Sequence, residues 1–426
     1  MEEQKNGRAS ALLPILVFLL IFLGSGLLTG DFYSMPAIVA FLIALFVAFI
    51  QNRSLSFADK MKLAAKGVGE ENIIITMCLI FLAAGAFSGA VKAAGGAEST
   101  VNLGLSILPS NVAVAGLFVI GCFISISMGT SVGTITTLAP IAVEISEKTG
   151  FSMAVCAGAV VGGAMFGDNL SMISDTTIAA VKTQGCEMKD KFRENFLIVL
   201  PAAILTVIIF LVIAQDADFQ MDEPLPYNIF KVLPYLVVIG ALAGVNVFII
   251  LLVGTVLSLI VGVAAGAFGI AEMFTFVGEG VTGMYDITVI SLVVACIVAL
   301  VREYGGIDFV LSFIRKRISD EKGGELGIAA LSLLVDMCTA NNTVAIVMAG
   351  PIAKEISDDF GVTPRRSASL LDMFSSMGQG LIPYGAQLLA AASLTGLTPF
   401  DIIPYCYYPI LMGISGLIFI FIKKRK

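Results

Sequence analysis

Long, uninterrupted apolar segments are the feature of this sequence that most restricts its fold. Runs of roughly 20 apolar residues, the length that crosses the hydrocarbon core of a bilayer as a helix, recur along the chain, for example near 11–29, 72–91 and 195–214. Charged residues make up only 13% of the 426 residues, whereas a water-soluble domain carries roughly 25%. The apolar runs do not alternate as the strands of a membrane β-barrel do. We therefore predict an all-α polytopic membrane protein.

Two residue counts exclude further classes of protein. The chain has no His, and its seven Cys occur singly, which excludes histidine metal ligands and paired-cysteine sites. The net charge is −7 and no basic domain is present, so we expect no nucleic-acid partner. We also expect no cofactor. If the protein moves protons, carboxylates must carry them.

The two halves of the chain repeat one another. An offset of 211 residues places the heptamer PIAVEIS (Pro140–Ser146) on PIAKEIS (Pro351–Ser357) without a gap. The same offset places Gly150, Gly167 and Gly185 on Gly361, Gly378 and Gly396. Self-similarity at one fixed spacing indicates a duplicated unit. We predict a first repeat at 1–214, a linker at 215–228 and a second repeat at 229–426.

The basic residues predict an orientation in the membrane. Of the 25 Lys and Arg, 22 can be placed on one side, and the acidic linker then lies on the other. Basic loops remain cytoplasmic, so we expect both termini to be cytoplasmic and the linker extracytoplasmic, in the cytoplasmic (inner) membrane of a bacterium or archaeon.

This charge distribution requires two segment pairs that do not cross the membrane. We predict that 111–148 and 325–357 are re-entrant hairpins, each returning to its side of entry; the alternative is two ordinary helices in each half. With hairpins, each repeat has about five crossings and the two repeats are inverted. Inverted repeats with discontinuous helices are the plan of many secondary transporters, which bind their cargo near the bilayer midplane.

Short polar stretches mark the predicted hairpin tips. They are MGTSVGT (Met128–Thr134) and TANNTVA (Thr339–Ala345). Irregular backbone at membrane depth is tolerated only where it is buried in protein or lines a cavity. The hydroxyls and carbonyls of these tips could therefore bind a cation. The alternative is that they hydrogen-bond neighbouring helices.

A second pair of interruptions divides the helices that follow the hairpins. The predicted broken helix at 152–183 contains FGDNLSMISDTT (Phe166–Thr177), and the one at 363–395 contains MGQGLIPYGAQL (Met377–Leu388). Only the first stretch carries carboxylates. A carboxylate at the centre of a membrane helix costs about 2.5–3.5 kcal/mol on insertion scales, so acids at this depth are functional candidates.

Four acids are candidates for ion binding. Asp168 lies in the predicted helix break and is expected to bind either Na+ or H+, but not both at once; it could instead pair with Asn169 or a neighbouring hydroxyl. Asp175 could bind Na+ with it, or only cap the second half-helix. Asp336 and Asp372 could bind an ion or balance charge. With neighbouring polar residues, the predicted ion- or substrate-binding set is Asp168, Asn169, Ser174, Asp175, Thr176, Thr130, Ser131, Thr134, Asp336, Asn341, Asn342, Thr343 and Asp372. Tyr384, Gln387 and Ser171 are predicted to support this set.

Two of these motifs resemble those of a known family. The stretch GDNLSMISDTT is similar to the Gly-Asp-x-x-Ser-x-x-Ser-Asp-Thr-Thr signature of the NhaC-type sodium/proton antiporters, part of the ion transporter superfamily. GTSVGT (Gly129–Thr134) resembles a second element of that family. The tip ANNT (Ala340–Thr343) resembles the hairpin tips of related sodium–dicarboxylate carriers. The resemblance implies either ion exchange or transport of an organic acid or amino acid.

Two functions follow. The first is Na+/H+ antiport, in which Asp168, with Asp175, binds either Na+ or H+. Tip residues such as Thr130 and Asn341 would complete the oxygen shell around Na+. Rocking of the two repeats would open the site to each side of the membrane in turn. The second is Na+- or H+-coupled transport of a small carboxylate or amino acid. A non-transporting scaffold or an enzyme does not account for duplicated broken helices with acids at depth. The sequence leaves a homodimer open.

Overall fold

The apolar runs of the sequence form helices. The computed structural model describes residues 7–29, 35–69, 73–107, 112–213, 227–236, 245–315, 320–383 and 385–422. Within these ranges every regular element is helical and no residue belongs to a β-strand. The prediction of an all-α protein is confirmed. The N-terminal Lys5, most of the 215–228 linker, Tyr384 and the C-terminal basic cluster at 423–426 lie outside the described residues.

The helices vary widely in length. They are α1 (Leu13–Thr29), α2 (Ala37–Ile50), α3 (Phe57–Gly69), α4 (Ile73–Ala93), α5 (Gly96–Ile107), α6 (Ala113–Met128), α7 (Ser131–Thr149), α8 (Met153–Leu170), α9 (Asp175–Gln184), α10 (Met188–Ile213), α11 (Ile229–Leu236), α12 (Val247–Ala264), α13 (Met273–Thr282), α14 (Tyr285–Glu303), α15 (Gly306–Arg315), α16 (Glu321–Thr339), α17 (Asn342–Phe360), α18 (Pro364–Gln379), α19 (Ala386–Thr395), α20 (Pro399–Ile402) and α21 (Tyr407–Ile422). Short 3-10 turns precede α1 and follow α20.

Several of these segments are long and apolar enough to cross a membrane. In the described part of the chain, five meet both criteria: Ala9–Thr29, Ile74–Ala93, Met153–Gln184, Met188–Ile213 and Met273–Glu303. A sixth is added if Ala386–Thr395 and Pro399–Tyr405, which are bent by 95°, form one broken span. Length and composition therefore support a multi-pass membrane protein. The number and direction of the crossings stay predictions.

The chain folds into two compact units, and each takes segments from both halves of the sequence. Unit 1 contains Met1–Leu79, Ala179–Cys186 and Tyr285–Ser375; unit 2 contains Ile80–Ile178, Glu187–Met284 and Ser376–Lys426. Unit 1 therefore holds the second predicted hairpin, and unit 2 holds the first. The division into repeats at 1–214 and 229–426 describes sequence similarity and stays a prediction.

Unit 1 combines apolar packing with a buried ion pair. Ring stacking joins α1 to α2, with the centroids of Phe18 and Phe41 3.9 Å apart. Near the start of α18, the guanidinium of Arg366 donates two hydrogen bonds to Glu325 on α16, at 2.9 and 3.0 Å, and both side chains are almost fully buried. Such a pair is stable only when the geometry satisfies both charges, and here the two parallel bonds do so.

In unit 2, the first predicted hairpin (α6 and α7) packs directly against α8. Helix α6 packs along α8 with small residues between them: a Cβ atom on Gly163 or Gly167 would collide with the backbone of α6. At this close approach, Ser125 donates its hydroxyl to the carbonyl of Ala164 at 2.6 Å. Close contact through small residues, supported by a hydroxyl, is the usual way in which membrane helices associate.

The tip of the first hairpin consists of two residues between α6 and α7. Gly129 ends α6 in the left-handed conformation, with φ +67°. Thr130 then caps α7, because its side-chain oxygen accepts the backbone N–H of Gly133 at 3.3 Å. The free N–H groups of a helix start are commonly satisfied in this way.

The tip of the second hairpin has the same local structure. Ala340 ends α16 in the left-handed conformation, with φ +52°, and Asn341 caps α17 by accepting the N–H of Val344 at 3.0 Å. Both residues lie 211 positions after Gly129 and Thr130. Residues that the repeat aligns therefore make the same turn, while the inverted orientation of the two hairpins stays a prediction.

Exchanging the residues at the two left-handed positions should have opposite effects. We expect Gly129→Ala to lower the free energy of unfolding by about 1–2 kcal/mol, because this conformation crowds a Cβ atom and the new Cβ would lie 2.8 Å from Cγ1 of Ile173. Ala340→Gly removes the same penalty and should leave stability unchanged or higher. Thermal unfolding of the purified protein in detergent measures both. Equal destabilisation by the two substitutions would contradict the assignment.

Candidate ion-binding site

The site forms where the helix begun by α8 is interrupted. Helix α8 ends at Leu170 and α9 begins at Asp175, so Ser171–Ser174 are not helical. Ser171 holds this break in place: its hydroxyl donates to the carbonyl of Ile126 on α6 at 2.7 Å and accepts the N–H of Ile173 at 3.3 Å. The polar backbone of the break is thus partly satisfied by side chains, as burial requires.

Asp168 lies in the last turn of α8, with only 2% of its surface exposed. One carboxylate oxygen accepts the hydroxyl of Ser131, the first residue of α7, at 3.0 Å. The other accepts the hydroxyl of Ser174, the last residue of the break, at 2.5 Å. The hairpin tip and the helix break therefore meet at one buried carboxylate. Both oxygens of this buried side chain thus have hydrogen-bond donors.

Two further side chains extend this network. Gln387 on α19 donates its amide to Ser131 Oγ at 3.0 Å, which leaves the Ser131 proton for Asp168. Ser174 also shares a hydrogen bond of 2.8 Å with the hydroxyl of Thr176. The group formed by Asp168, Ser131, Ser174, Thr176 and Gln387 lies entirely within unit 2. Carboxylate and hydroxyl oxygens are the ligands that hard cations prefer, so this group could hold Na+.

A buried lysine fixes the end of α8 next to Asp168. Lys191 and Asn195, one turn apart on α10, both donate to the carbonyl of Asn169. Lys191 also donates to the hydroxyl of Thr177 at 3.0 Å, and Asn195 donates to the side chain of Asn169. Lys191 is 1% exposed and Asn195 is fully buried. These two residues hold a carbonyl that the helix break would otherwise leave without a partner.

Sequence reasoning did not identify Lys191 and Asn195 as part of the site. Lys191 is one of the 22 basic residues that the orientation prediction places on the cytoplasmic side. The available signal was the i, i+4 spacing of a lysine and an amide on one face of a largely apolar helix, since residues at this spacing lie side by side.

The other residues predicted in the first half make local contacts. Asp175 is the first residue of α9 and accepts the N–H of the next residue, Thr176, at 2.9 Å; its role as a helix cap stays a prediction. Thr130 caps α7, and the hydroxyl of Thr134 donates to its carbonyl at 2.8 Å. Binding of Na+ by Asp175 stays a prediction.

The residues predicted in the second half belong to unit 1. Asn342 and Thr343 are buried at the start of α17, and Asp336 and Asp372 are fully buried on α16 and α18. Ser332, one turn before Asp336, donates to the carbonyl of Leu371, next to Asp372, at 2.6 Å. Participation of these residues in one oxygen shell with Asp168 stays a prediction.

Loss of the lysine contact should weaken the helix break. We expect Lys191→Met to lower the free energy of unfolding by about 1–3 kcal/mol, because the buried acceptors on Asn169 and Thr177 lose a donor. Lys189→Met is the matched control, since Lys189 is exposed and pairs with Glu187 at the surface. Thermal unfolding in detergent compares the two variants, and equal stability would show that the Lys191 contacts are dispensable.

The fold and the site together define a class of protein. Buried, hydrogen-bonded carboxylates within broken, apolar helices are typical of ion-coupled secondary transporters. The Na+/H+ antiporter family matches residues 9–214 and 227–424, and the chain belongs to this family. The NhaC-type resemblance is confirmed, as is the prediction of a secondary transporter of the Na+/H+ antiporter class.

Individual relatives are distant but similar over most of their length. The chain is 22% identical to the malate-2H(+)/Na(+)-lactate antiporter of Bacillus subtilis (strain 168), over 95% of this chain and 93% of that protein. It is 24% identical to the Na(+)/H(+) antiporter NhaC of Alkalihalophilus pseudofirmus, over 85% and 83%. The YdaH transporter of Alcanivorax borkumensis has a similar fold, with a TM-score of 0.64 at 11% sequence identity, covering 97% of this chain and 98% of YdaH.

Proposed function

We propose that this protein exchanges Na+ for H+ across the cytoplasmic membrane by competition at Asp168. The observation that carries the proposal is the environment of this carboxylate, which is buried and accepts hydroxyls from Ser131 and Ser174 on its two oxygens. Membership of the Na+/H+ antiporter family supports the same ions. Na+ and H+ are the cargo, and the exchange needs no cofactor.

Competition follows from the burial of the carboxylate. One negative charge in a buried site balances one cation, because a second positive charge would be costly there without a partner. A proton on Asp168 removes the charge that would hold Na+, and Na+ on the carboxylate excludes the proton. The hydroxyls of Ser131 and Ser174 can donate to the ionised carboxylate or turn their oxygens towards a bound Na+, since a hydroxyl both donates and accepts.

Coupling then requires that the site open to one side at a time. Opposite movement of the two repeats would expose Asp168 alternately, and the short non-helical segments at 129–130 and 171–174 provide the ends of half-helices at which transporters bind ions. Na+ that binds to Asp168 on one side of the membrane is released on the other side. H+ then binds to the same carboxylate and is carried in the opposite direction.

The second candidate is transport of a small carboxylate or amino acid coupled to Na+ or H+. The malate-2H(+)/Na(+)-lactate antiporter is a relative over 95% of this chain, which favours organic acids as the first compounds to test. A buried cation, Lys191, lies beside the helix break, but its described contacts are with Asn169 and Thr177. Na+/H+ exchange therefore remains the proposed function.

Proton movement in vesicles separates the two candidates. The protein is reconstituted with an internal pH dye, and Na+ is added alone or together with malate and lactate. We expect Na+ alone to drive proton flux. A flux that appears only with the organic acid would overturn Na+/H+ exchange in favour of the second candidate.

The same assay tests the site. Asp168→Asn should slow the Na+-driven flux by at least about tenfold, which corresponds to the loss of about 1.4 kcal/mol of ion binding. Asp358→Asn makes the same change at an exposed residue whose partner is Lys354, and it should retain wild-type flux. Full activity of Asp168→Asn would remove this residue from the mechanism.

A further inference from the structure

A cavity of about 250 Å³ lies in unit 1, beside the end of α14. The residues that line it come from α3, α4, the end of α9, α14 and α17, and all of them belong to unit 1. Sites for drug-sized ligands usually measure roughly 300–1,000 Å³, so this cavity suits one small group. The exchange proposed at Asp168, which belongs to unit 2, makes no use of it.

The charged side chains that line the cavity are cationic. They are Arg302, in the last turn of α14, and Lys354 on α17. Among the described lining residues none is acidic. A guanidinium fork and a lysine ammonium group are the side chains that most often bind phosphate groups in proteins. The charge of the cavity therefore favours an anion, and the pair of cations suits a phosphate group.

Both cations have acidic partners at the protein surface. Arg302 donates to Glu355 at 3.0 Å, and Lys354 donates to Asp358 at 2.8 Å. All four side chains are partly exposed, and exposed ion pairs contribute little to stability. Guanidinium and ammonium groups each carry several N–H donors. The two cations can therefore donate to a phosphate in the cavity while they keep their partners at the surface.

Most of the remaining lining is apolar. Ala295 and Val298 lie on the same face of α14 as Arg302, because residues three or four positions apart are neighbours on a helix surface. Pro351 on α17 adds to the apolar surface. Val298 also lines a narrow apolar crevice between α1, α2, α14 and α17. Cationic groups next to apolar surface fit an amphiphile better than a free inorganic anion, which would leave the apolar lining without a partner.

Helix α3, which contributes Gly67 to the cavity, has the pattern of a helix that lies in the membrane surface. Its Gly67 face packs closely on α14. Phe57 and Met61, four residues apart, form a second, apolar face and are 66% and 48% exposed. The exposed Lys62 and Lys66 form a third face. An apolar strip beside lysines is typical of helices at the level of the lipid headgroups. The cavity beside α3 is therefore expected at that level.

We propose that this cavity binds the phosphate headgroup of an anionic phospholipid. The phosphate lies between Arg302 and Lys354, and the glycerol end of the lipid packs against Ala295 and Val298. The orientation predicted from the basic residues places this end of unit 1 at the cytoplasmic leaflet, where basic pockets between membrane helices bind anionic headgroups. A lipid bound there connects segments that are far apart in the sequence, and it stabilises the folded chain because it binds only that state.

Thermal unfolding in a neutral detergent tests the source of the phosphate group. The full-length protein is titrated with phosphatidylglycerol, with phosphatidylcholine, whose headgroup has no net charge, or with inorganic phosphate. We expect phosphatidylglycerol to raise the unfolding temperature to a plateau and the other two compounds to have little effect. No rise with phosphatidylglycerol, or an equal rise with phosphatidylcholine, overturns the proposal. An equal rise with inorganic phosphate overturns the lipid as the ligand and assigns the cavity to a free anion.

Substitution of the two cations assigns the binding to this cavity. Arg302→Gln combined with Lys354→Gln should raise the apparent dissociation constant for phosphatidylglycerol at least about tenfold. The matched control is Glu355→Gln combined with Asp358→Asn, which breaks the same two ion pairs and keeps both cations. This control should bind phosphatidylglycerol at least as tightly as the wild type. Equal weakening in both double variants, or in neither, would overturn the assignment.

A third variant tests the cavity without a change of charge. Ala295→Leu keeps both cations and their surface partners and places a larger side chain in the cavity. We expect it to weaken phosphatidylglycerol binding because the lipid then competes with the leucine for the same space. Wild-type affinity in Ala295→Leu would show that the lipid binds elsewhere, whether or not the variant that lacks both cations folds.

Discussion

Every polar backbone group that lies inside this protein must find a partner within it, and the site depends on how that requirement is met. Continuous helices satisfy their own backbone, but a helix that stops at membrane depth leaves N–H and C=O groups free. In this protein, side chains form the hydrogen bonds that these free backbone groups lack. Thr130 and Asn341 accept N–H groups at the two hairpin tips, and Lys191 and Asn195 donate to the carbonyl freed at the end of α8. Polar side chains are therefore concentrated at the breaks, and Asp168 lies among them.

Two buried acids, Asp168 and Asp336, differ in the hydrogen bonds that their carboxylates accept. Asp168 accepts hydrogen bonds from two serine hydroxyls, one of them held by Gln387. These donors satisfy both oxygens of a buried carboxylate. Asp336 has no such donors among the described residues.

Many residues of the candidate site could be predicted from the sequence because they lie close together in the chain. Asp168, Ser174 and Thr176 fall within one eleven-residue motif, and the hydroxyl cluster at Gly129–Thr134 is separately recognisable. The contact between Ser131 and Asp168 required the packing of α7 on α8, although both residues were predicted to bind the same ion. Lys191 escaped detection because a lysine near the start of a helix is usually a loop or surface residue, and only its burial against Asn169 shows otherwise.

The helical class, the repeat at an offset of 211 residues, the helix breaks as candidate sites and the family are all predictable from the amino-acid sequence. These properties follow from hydrophobicity, glycine and proline placement and local motifs, which act over one or two turns of chain. Which polar groups become hydrogen-bond partners depends on how the helices pack. Asp168 and Asp336 are both acids in apolar segments, and the sequence does not predict which of them has hydrogen-bond partners. The difference comes from side chains that packing brings together. Ser131, which lies 37 residues before Asp168 in the chain, donates a hydrogen bond to it. The carboxylate of Asp336 accepts no hydrogen bond from any described residue.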